Sequence, residues 1–386
     1  MNNIKILFIT HYNGMYGANQ SLCKLILELK NDYNISPVVL VPSHGPICDF
    51  LEDNDIKYYI SHFYWWVNAD TGIFQMLLNF RKQIINLMRV PRLARLVKND
   101  GIDLVYSNSI TINVGYFLSK KLQCPHIWHI REAMEQINLR FSLGLKLSKK
   151  ILKVAANQYI VISDFINKAF NDLLPDEKVK RIYNGISIDL EYKRINNMFD
   201  ENINICCVGL LCEQKNQFNI LEAIKILKEK GKSNVRLHLI GTAKKLYLEE
   251  LELYINQQGL KSNVILYGHQ KNVNKLLVGM NLGIMPSRDE AFGRVSIEYM
   301  LHKMPVIASK SGANEEIIKS GVNGFLYKLN DAEELAQNLA YYLDKPSELD
   351  RMGEIAFNYA KENFSSSQNT QAIYQVIHNL IYQSNI

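Results

Sequence analysis

The chain has 386 residues, 47% of them hydrophobic and 21% charged, with a formal net charge of +6. That length and apolar content provide for two domains with separate cores. A mild positive excess, without an RNP-type aromatic motif, zinc-finger spacing or a dense Lys/Arg block, excludes nucleic acid as an expected partner.

In chain order, residues 4–10 read as a buried strand, too short and too abruptly followed by polar residues for a signal peptide. The loop from Asn13 to Ser21 carries Gly14 and Gly17. Its glycines permit close backbone approach to a ligand, and the start of the helix at 18–30 favours anions; a plain tight turn fits the same residues. Strands follow at 37–41, 57–60, 102–107, 126–130 and 159–163, with helical stretches between them. Two of these stretches are basic and partly apolar. Arg81, Lys82, Arg89, Arg92, Arg95 and Lys98 stud residues 73–98, and Lys146, Lys149, Lys150 and Lys153 cluster over 145–154. Such helices lie on anionic lipid, or present a solvated face to water. The run Phe63-Tyr64-Trp65-Trp66 stacks on a sugar or a lipid, or packs internally, and packing is the favoured reading. At Ile127-Trp128-His129-Ile130-Arg131-Glu132 a strand ends in a polar cluster, where His129 is either a functional imidazole or a satisfied core residue.

Residues 191–202 are polar and aperiodic and read as a linker between a first domain, 1–190, and a second, 203–363. The second domain repeats the alternation, with strands at 203–209, 235–241, 264–268, 282–286, 305–308 and 325–327. Helices at 332–343, 347–363 and 367–382 close the chain, and 364–386 is expected to pack back toward the first domain. The fold class is α/β: two doubly wound, Rossmann-like domains facing a cleft, with C-terminal helices. The six cysteines form no C-x-x-C pair and read as reduced core residues. No apolar run approaches the about 18 residues of a spanning helix, so a cytoplasmic protein is expected, soluble or peripheral on the inner leaflet.

Two segments of the second half carry the chemistry. Lys215 closes the loop Val208–Asn216 just before a helix, where an ammonium can help neutralise a diphosphate; a lone lysine is otherwise an ordinary solvated residue. In Ser287-Arg288-Asp289-Glu290-Ala291-Phe292-Gly293-Arg294-Val295-Ser296-Ile297-Glu298, two carboxylates flank a glycine that opens an apolar, helix-like run. A helix start has unpaired N–H groups and a partial positive charge that hold phosphate, and carboxylates accept bonds from sugar hydroxyls. Acids also favour first turns for stability alone. Strand patterns on both sides, and the turn at Gly312, place this pair at the carboxyl ends of parallel strands, where ligands bind.

This pattern resembles the retaining, nucleotide-sugar-dependent glycosyltransferases of group 1 (family 4), which have the two-domain GT-B fold. The resemblance runs along the whole chain and is most specific from Ser287 to Gly324, through Pro305-Val306-Ile307-Ala308 and Glu316-Ile317-Ile318-Lys319-Ser320-Gly321-Val322-Asn323-Gly324. Arg181-Ile182-Tyr183-Asn184-Gly185-Ile186 is similar to the family's Asn-Gly turn, Gly17 to the second glycine of its N-terminal loop, and His129 to the histidine beside the acceptor. The resemblance implies that Glu290 bonds the transferred sugar and Glu298 the ribose. Backbone from Phe292 through Gly293 and Arg294 to Val295 would meet sugar or phosphates, Lys215 would neutralise the diphosphate, Gly17 would approach it, and His129 would orient acceptor or sugar. It further implies a front-face route, no metal and no cofactor beyond the nucleotide-sugar, with family frequency favouring UDP. The acceptor would be a glycan or lipid-linked, in assembly of a surface polysaccharide or glycolipid. Leu210 departs from the pattern, standing where an arginine is usual, and Arg294 is expected to supply part of that charge; Ala313 replaces a common glycine. Two alternatives remain open: a nucleotide-sugar epimerase or hydrolase of the same fold, and a non-catalytic GT-B binding subunit.

Overall fold

The computed structural model describes residues 3–69, 73–134, 140–186 and 202–382. The chain forms two compact units, Met1–Gly185 together with Ser366–Ile386, and Ile186–Ser365. All but the last residue of the segment expected as a linker, 191–202, lies outside the described residues.

The first unit contains β1 (Ile4–Ile9), β2 (Ile35–Val41), β3 (Lys57–Ile60), β4 (Val67–Asn68), β5 (Leu104–Ser107), β6 (His126–Ile130), β7 (Arg140–Phe141), β8 (Gln158–Val161) and β9 (Val179–Arg181). Among the described residues, seven of them form one sheet in the order β3-β2-β1-β5-β6-β8-β9. All its pairings are parallel, while β4 and β7 pair antiparallel as a separate ribbon. Ile6, Leu7, Phe8 and Ile9 are all fully buried, because a parallel sheet is covered on both faces and its central strands are apolar throughout. The helix Gly17–Asp32 sets Leu22, Leu25, Ile26 and Leu29 on one stripe against the sheet. The last helix, Ser366–Tyr382, adds Ile373, Val376 and Ile377 to the same core, each worth roughly 1.5–3 kcal/mol of burial. Thr370 Oγ1 donates to the Glu28 carboxylate at 2.5 Å, so the end of the chain is part of the first unit.

The second unit contains β10 (Ile203–Val208), β11 (Val235–Ile240), β12 (Val264–Gly268), β13 (Leu282–Met285), β14 (Val306–Ser309) and β15 (Gly324–Tyr327). They form a parallel sheet in the order β12-β11-β10-β13-β14-β15. The winding direction reverses between β10 and β13, so the loops after these two strands separate to opposite faces and leave a crevice at their carboxyl ends. The helix Arg294–Leu301 is seated close over β13. Its Tyr299 hydroxyl accepts from the Val208 N–H at 2.7 Å, and the Tyr299 ring occupies the space that a side chain at Gly283 would need, 2.0 Å from an added Cβ. Gly283→Ala is therefore expected to destabilise the protein by about 2–3 kcal/mol, whereas Gly279→Ala, whose Cβ would lie no closer than 3.9 Å to any neighbour, changes little. Equal urea midpoints for the two variants would contradict this packing.

Candidate active site

In the second unit the crevice is built by two loops bonded to each other. The loop after β10 starts at Gly209 and passes so close to Gly241 that a Cβ there would sit 1.8 Å from the Gly209 carbonyl oxygen. Gln217 pins this loop: its Nε2 donates to the Leu210 carbonyl at 3.1 Å, and its Oε1 accepts from the Cys212 N–H at 3.2 Å. Asn216, with φ of 55°, turns the chain from the short 3-10 turn Glu213–Lys215 into the helix Gln217–Glu229. The loop after β13 joins it through the Arg288 N–H, which donates to the Gln214 carbonyl at 2.9 Å. Lys215 Nζ consequently lies 2.6 Å from Glu290 Oε2, the side chains being 31% and 17% exposed. Burial alone lowers the Lys215 pKa, but the Glu290 carboxylate outweighs it and the net shift is upward, so the ammonium stays charged.

Beyond Glu290, Gly293 begins the helix Arg294–Leu301 with φ of 82°, a left-handed value that glycine adopts without strain. Gly312 lets a second turn pass beneath: a Cβ on it would come within 2.3 Å of the Glu290 carbonyl oxygen. The Ala313 N–H donates to that oxygen at 2.7 Å, and Ser311 Oγ accepts from the Asp289 N–H at 2.7 Å. Asn314 is fully buried; its Nδ2 donates to the Ser309 carbonyl at 3.1 Å, while its Oδ1 has no partner among the described residues. One turn into the helix, Glu298 accepts from Arg294 Nε at 2.9 Å. Burial raises the Glu298 pKa and Arg294 pulls against that rise. Two carboxylates, each holding a base, thus flank a helix start. Such a set can take hydroxyl donors on its acids and a diphosphate on its cations and amides.

The first unit carries different chemistry at the ends of β1, β5 and β6. Buried Asn19 organises the loop after β1, accepting from Thr10 Oγ1 at 2.5 Å and donating to the carbonyls of Tyr12 at 3.0 Å and Gly14 at 2.7 Å. Gly17 opens the helix that follows, and a Cβ on it would meet nothing within 4 Å. His129 is fully enclosed in β6, its Nδ1 bonded to the Tyr106 hydroxyl and its Nε2 without a partner. Burial, then Arg131, holds its pKa well below the usual range, so the ring is neutral. Arg131 Nε donates to Asn108 Oδ1 at 2.6 Å and its Nη1 to Asn184 Oδ1 at 2.5 Å. Next along the chain, Glu132 is 17% exposed; its Oε2 accepts from the Ile110 N–H at 3.4 Å, and its Oε1 lies 3.8 Å from His11 Nε2. Burial pushes Glu132 up to about 7, against opposing contributions from Ser109, the Ile110 amide and Arg131. Burial, then Arg131, lowers His11 to about 3.

Among the residues singled out in the sequence, Lys215, Glu290, Gly293, Arg294 and Glu298 share one end of the second sheet. Phe292 is buried with its ring against Phe364, Val295 is half-buried on the helix, and Leu210 is exposed without supplying charge. Gly17 and His129 belong to the first unit, where His129 sits inside the sheet layer and Glu132 stands at its rim. His11 went unread in the sequence, although its place just after a buried strand and before a glycine loop was a usable signal. Gln217 and Asn314 offered none, since polar residues at helix starts are ordinary.

Two family descriptions match the chain: "Glycosyltransferase Family 4" over residues 17–190 and "Glycosyl transferases group 1" over residues 189–359. The chain belongs to the group 1 glycosyltransferases, and its two parallel-sheet α/β units are those of the GT-B fold. It is similar to the uncharacterized glycosyltransferase MJ1178 of Methanocaldococcus jannaschii, 26% identical over 81% of this chain and 83% of the relative. It is also similar to the capsular polysaccharide biosynthesis glycosyltransferase CapH of Staphylococcus aureus, 25% identical over 58% of this chain; that match spans 64% of CapH, less than two-thirds of it. Among solved structures, Anabaena HepE in complex with UDP and glucose matches in fold with a TM-score of 0.78 at 24% identity, over 98% of this chain and 100% of that one.

The pair in the first unit makes stability depend on pH. With its carboxyl held at about 7 against an ordinary 4.5, folded Glu132 keeps a proton that the unfolded chain has released, so its contribution falls as pH rises through that window. His11, at about 3 against 6.5, acts in the opposite sense, and its contribution is lost as pH falls through its own window. Glu132→Gln cannot ionise. It is expected to raise stability at about pH 8, by at most on the order of 3 kcal/mol, and to add little near pH 4.5. Calorimetric melting at the two pH values checks this, and an equal change at both would contradict it.

Proposed function

We propose that the protein is a retaining glycosyltransferase that moves a sugar from a UDP-sugar to a glycan or lipid-linked acceptor, in assembly of a surface polysaccharide or glycolipid. The observation that carries the reading is the pair of ion pairs about Gly293, Lys215–Glu290 at 2.6 Å and Arg294–Glu298 at 2.9 Å. A diphosphate seated at the helix start takes bonds from its amides and charge from Lys215 and Arg294, while Glu290 and Glu298 accept from hydroxyls of the sugar and the ribose. Each acid is charge-balanced before the donor arrives, so the site is held in position without a ligand. In the transfer, the bond from the anomeric carbon to the diphosphate breaks and its electron pair leaves with UDP. The acceptor oxygen bonds the same face, and its proton passes to a phosphate oxygen. Lys215, Arg294 and the helix dipole stabilise the leaving group, and no metal is required. The UDP bound by HepE and the capsular role of CapH support the donor and the setting. Glu290→Ala is expected to keep UDP binding, read as a thermal shift, and to lose roughly 100-fold or more of transfer when assayed with UDP-sugars. Proton NMR of the wild-type product should show the donor's anomeric configuration, with turnover unchanged by EDTA. Wild-type turnover in the variant, or an inverted product, would overturn the assignment.

We also assign the first unit a membrane-facing surface. No helix among the described residues is long and apolar enough to cross a membrane. The helix Ile73–Leu96 is instead inverted over residues 77–88, where Asn79, Gln83 and Asn86 are buried while Leu77, Phe80, Ile84, Leu87 and Met88 are exposed; its last turns bury Val90, Leu93 and Ala94 in the ordinary sense. Two of these amides, Gln83 and Asn86, clamp the aromatic run. Asn86 bonds both the N–H and the carbonyl of Tyr64, at 2.9 and 2.8 Å, and Gln83 Nε2 donates to the Trp65 carbonyl at 2.9 Å. The outward stripe runs beside Arg81, Arg92 and Arg95, and residues 73–98 hold no Asp or Glu. An apolar stripe with only positive charge around it suits an anionic lipid surface. The full chain is expected to float with phosphatidylglycerol vesicles and not with phosphatidylcholine vesicles. Replacing Phe80 and Leu87 together by serine should release it without lowering its melting temperature; wild-type protein that stays unbound at low salt would defeat the assignment.

A further inference from the structure

We propose that Gln217 is a positioning residue for the diphosphate of the donor: its buried amide, braced by the Tyr247 hydroxyl, sets where the Lys215 ammonium stands. The inference rests on the glycosyltransferase reading and deepens it, since it names what makes the site favour a nucleoside diphosphate over the bare nucleoside. The loop 209–216 carries one cation, Lys215, and one acid, Glu213. Leu210, 53% exposed, adds no charge, so on this loop the attraction for a diphosphate falls on Lys215 alone. A single ammonium acts as a point charge whose attraction weakens with distance, so the placing of the loop decides how well it serves.

Gln217 is buried and opens the helix Gln217–Glu229. Its amide makes three bonds: Nε2 donates to the Leu210 carbonyl at 3.1 Å, while Oε1 accepts from the Cys212 N–H at 3.2 Å and from the Tyr247 hydroxyl at 3.1 Å. A carbonyl only accepts and a peptide N–H only donates, so the amide can face just one way. A side chain that caps a helix accepts from N–H groups of the first turn. These bonds run instead to the loop ahead of the helix. Cys212 passes the hold on, because its own carbonyl accepts the backbone N–H of Lys215 at 2.9 Å and that of Asn216 at 3.2 Å. Tyr247 comes from the next βα unit. It lies on the helix Lys245–Gln257, which follows β11, and its ring packs edge-on against Phe218 at 5.6 Å. Along the same seam the Leu211 N–H donates to the Thr242 carbonyl at 2.8 Å. This bracing is separate from Glu290, which holds only the far end of Lys215, at 2.6 Å. A diphosphate competes with Glu290 for the ammonium. Gln217 and Tyr247 keep the backbone of Lys215 in place while that exchange occurs.

The test uses the full chain, with UDP and uridine as probes titrated by saturation-transfer NMR, and reads a double-mutant cycle. Gln217→Met keeps the length of the side chain and removes its three bonds. Lys215→Ala is expected to weaken UDP binding about tenfold or more and to leave uridine nearly unchanged, and Gln217→Met to act in the same direction on UDP alone. Because Gln217 works through the ammonium, the two changes should not multiply, and the double variant should bind UDP as Lys215→Ala does. Tyr247→Phe leaves two of the three bonds. It is expected to weaken UDP about threefold in the wild-type background and not at all in Lys215→Ala, and it carries the cycle if Gln217→Met does not fold. Losses that multiply in the double variant, or an equal loss for uridine, would assign Gln217 to the fold at large and refute the inference. So would an unchanged UDP affinity in Gln217→Met, or in Tyr247→Phe where that variant carries the cycle. All these results leave the transferase reading standing. A wild type that binds UDP no better than uridine would instead strike the reading on which the inference rests.

Discussion

The salt bridge from Lys215 to Glu290 closes the switch point of the second sheet. At a switch point the loops after β10 and β13 diverge, and nothing in the sheet itself ties them together. Here a charged pair at 2.6 Å and one backbone bond, Arg288 N–H to the Gln214 carbonyl, do so. Everything nearby follows from that closure. Glu290 is held where Ala313 can bond its carbonyl, Gly293 can turn the chain into a helix, and Gly312 can pass beneath within 2.3 Å of an added Cβ. A part-buried pair of this kind contributes modest stability by itself. Its larger effect is positional, because each partner satisfies the other's charge until a ligand competes for it.

The first unit uses the opposite strategy. Its cluster at the ends of β1, β5 and β6 is governed by burial: Glu132 is pushed up to about 7 although Arg131 opposes the rise, and His11 is pushed down to about 3. Groups so strained in their protonation are a burden on the fold at neutral pH, and such burdens concentrate where a protein handles ligands. His129, singled out in the sequence, keeps its Nε2 without a partner among the described residues. Enclosed, neutral and bonded to Tyr106, it lies in the layer beneath Arg131 and Glu132.

The inverted helix at Ile73–Leu96 links packing to surface character. Its buried amides grip the backbone of Tyr64 and Trp65, which orders the aromatic segment and leaves Trp65 at the surface. Over residues 77–88 the helix turns its polar residues inward to hold this loop and presents Leu77, Phe80, Ile84, Leu87 and Met88 outward, whereas Val90, Leu93 and Ala94 are buried. The exposed apolar stripe and the fixed tryptophan are thus two results of one arrangement.

Much of this was legible in the sequence because it is local. Alternating apolar runs and glycine turns define parallel βα units, and Glu290 and Glu298 share one helix start, so their relation is set by eight residues of chain. The same holds for Lys215 standing before its helix. What only the tertiary structure decided are the meetings between distant segments. Lys215 and Glu290 are 75 residues apart, Arg131 and Asn184 are 53 apart, and Thr370 reaches Glu28 across 342. The enclosure of His129, the pairing of His11 with Glu132 and the inward turn of Asn79, Gln83 and Asn86 belong to the same class. A parallel sheet gathers the ends of strands that lie far apart in the chain, and burial there depends on which neighbours arrive. No period within a single segment encodes that.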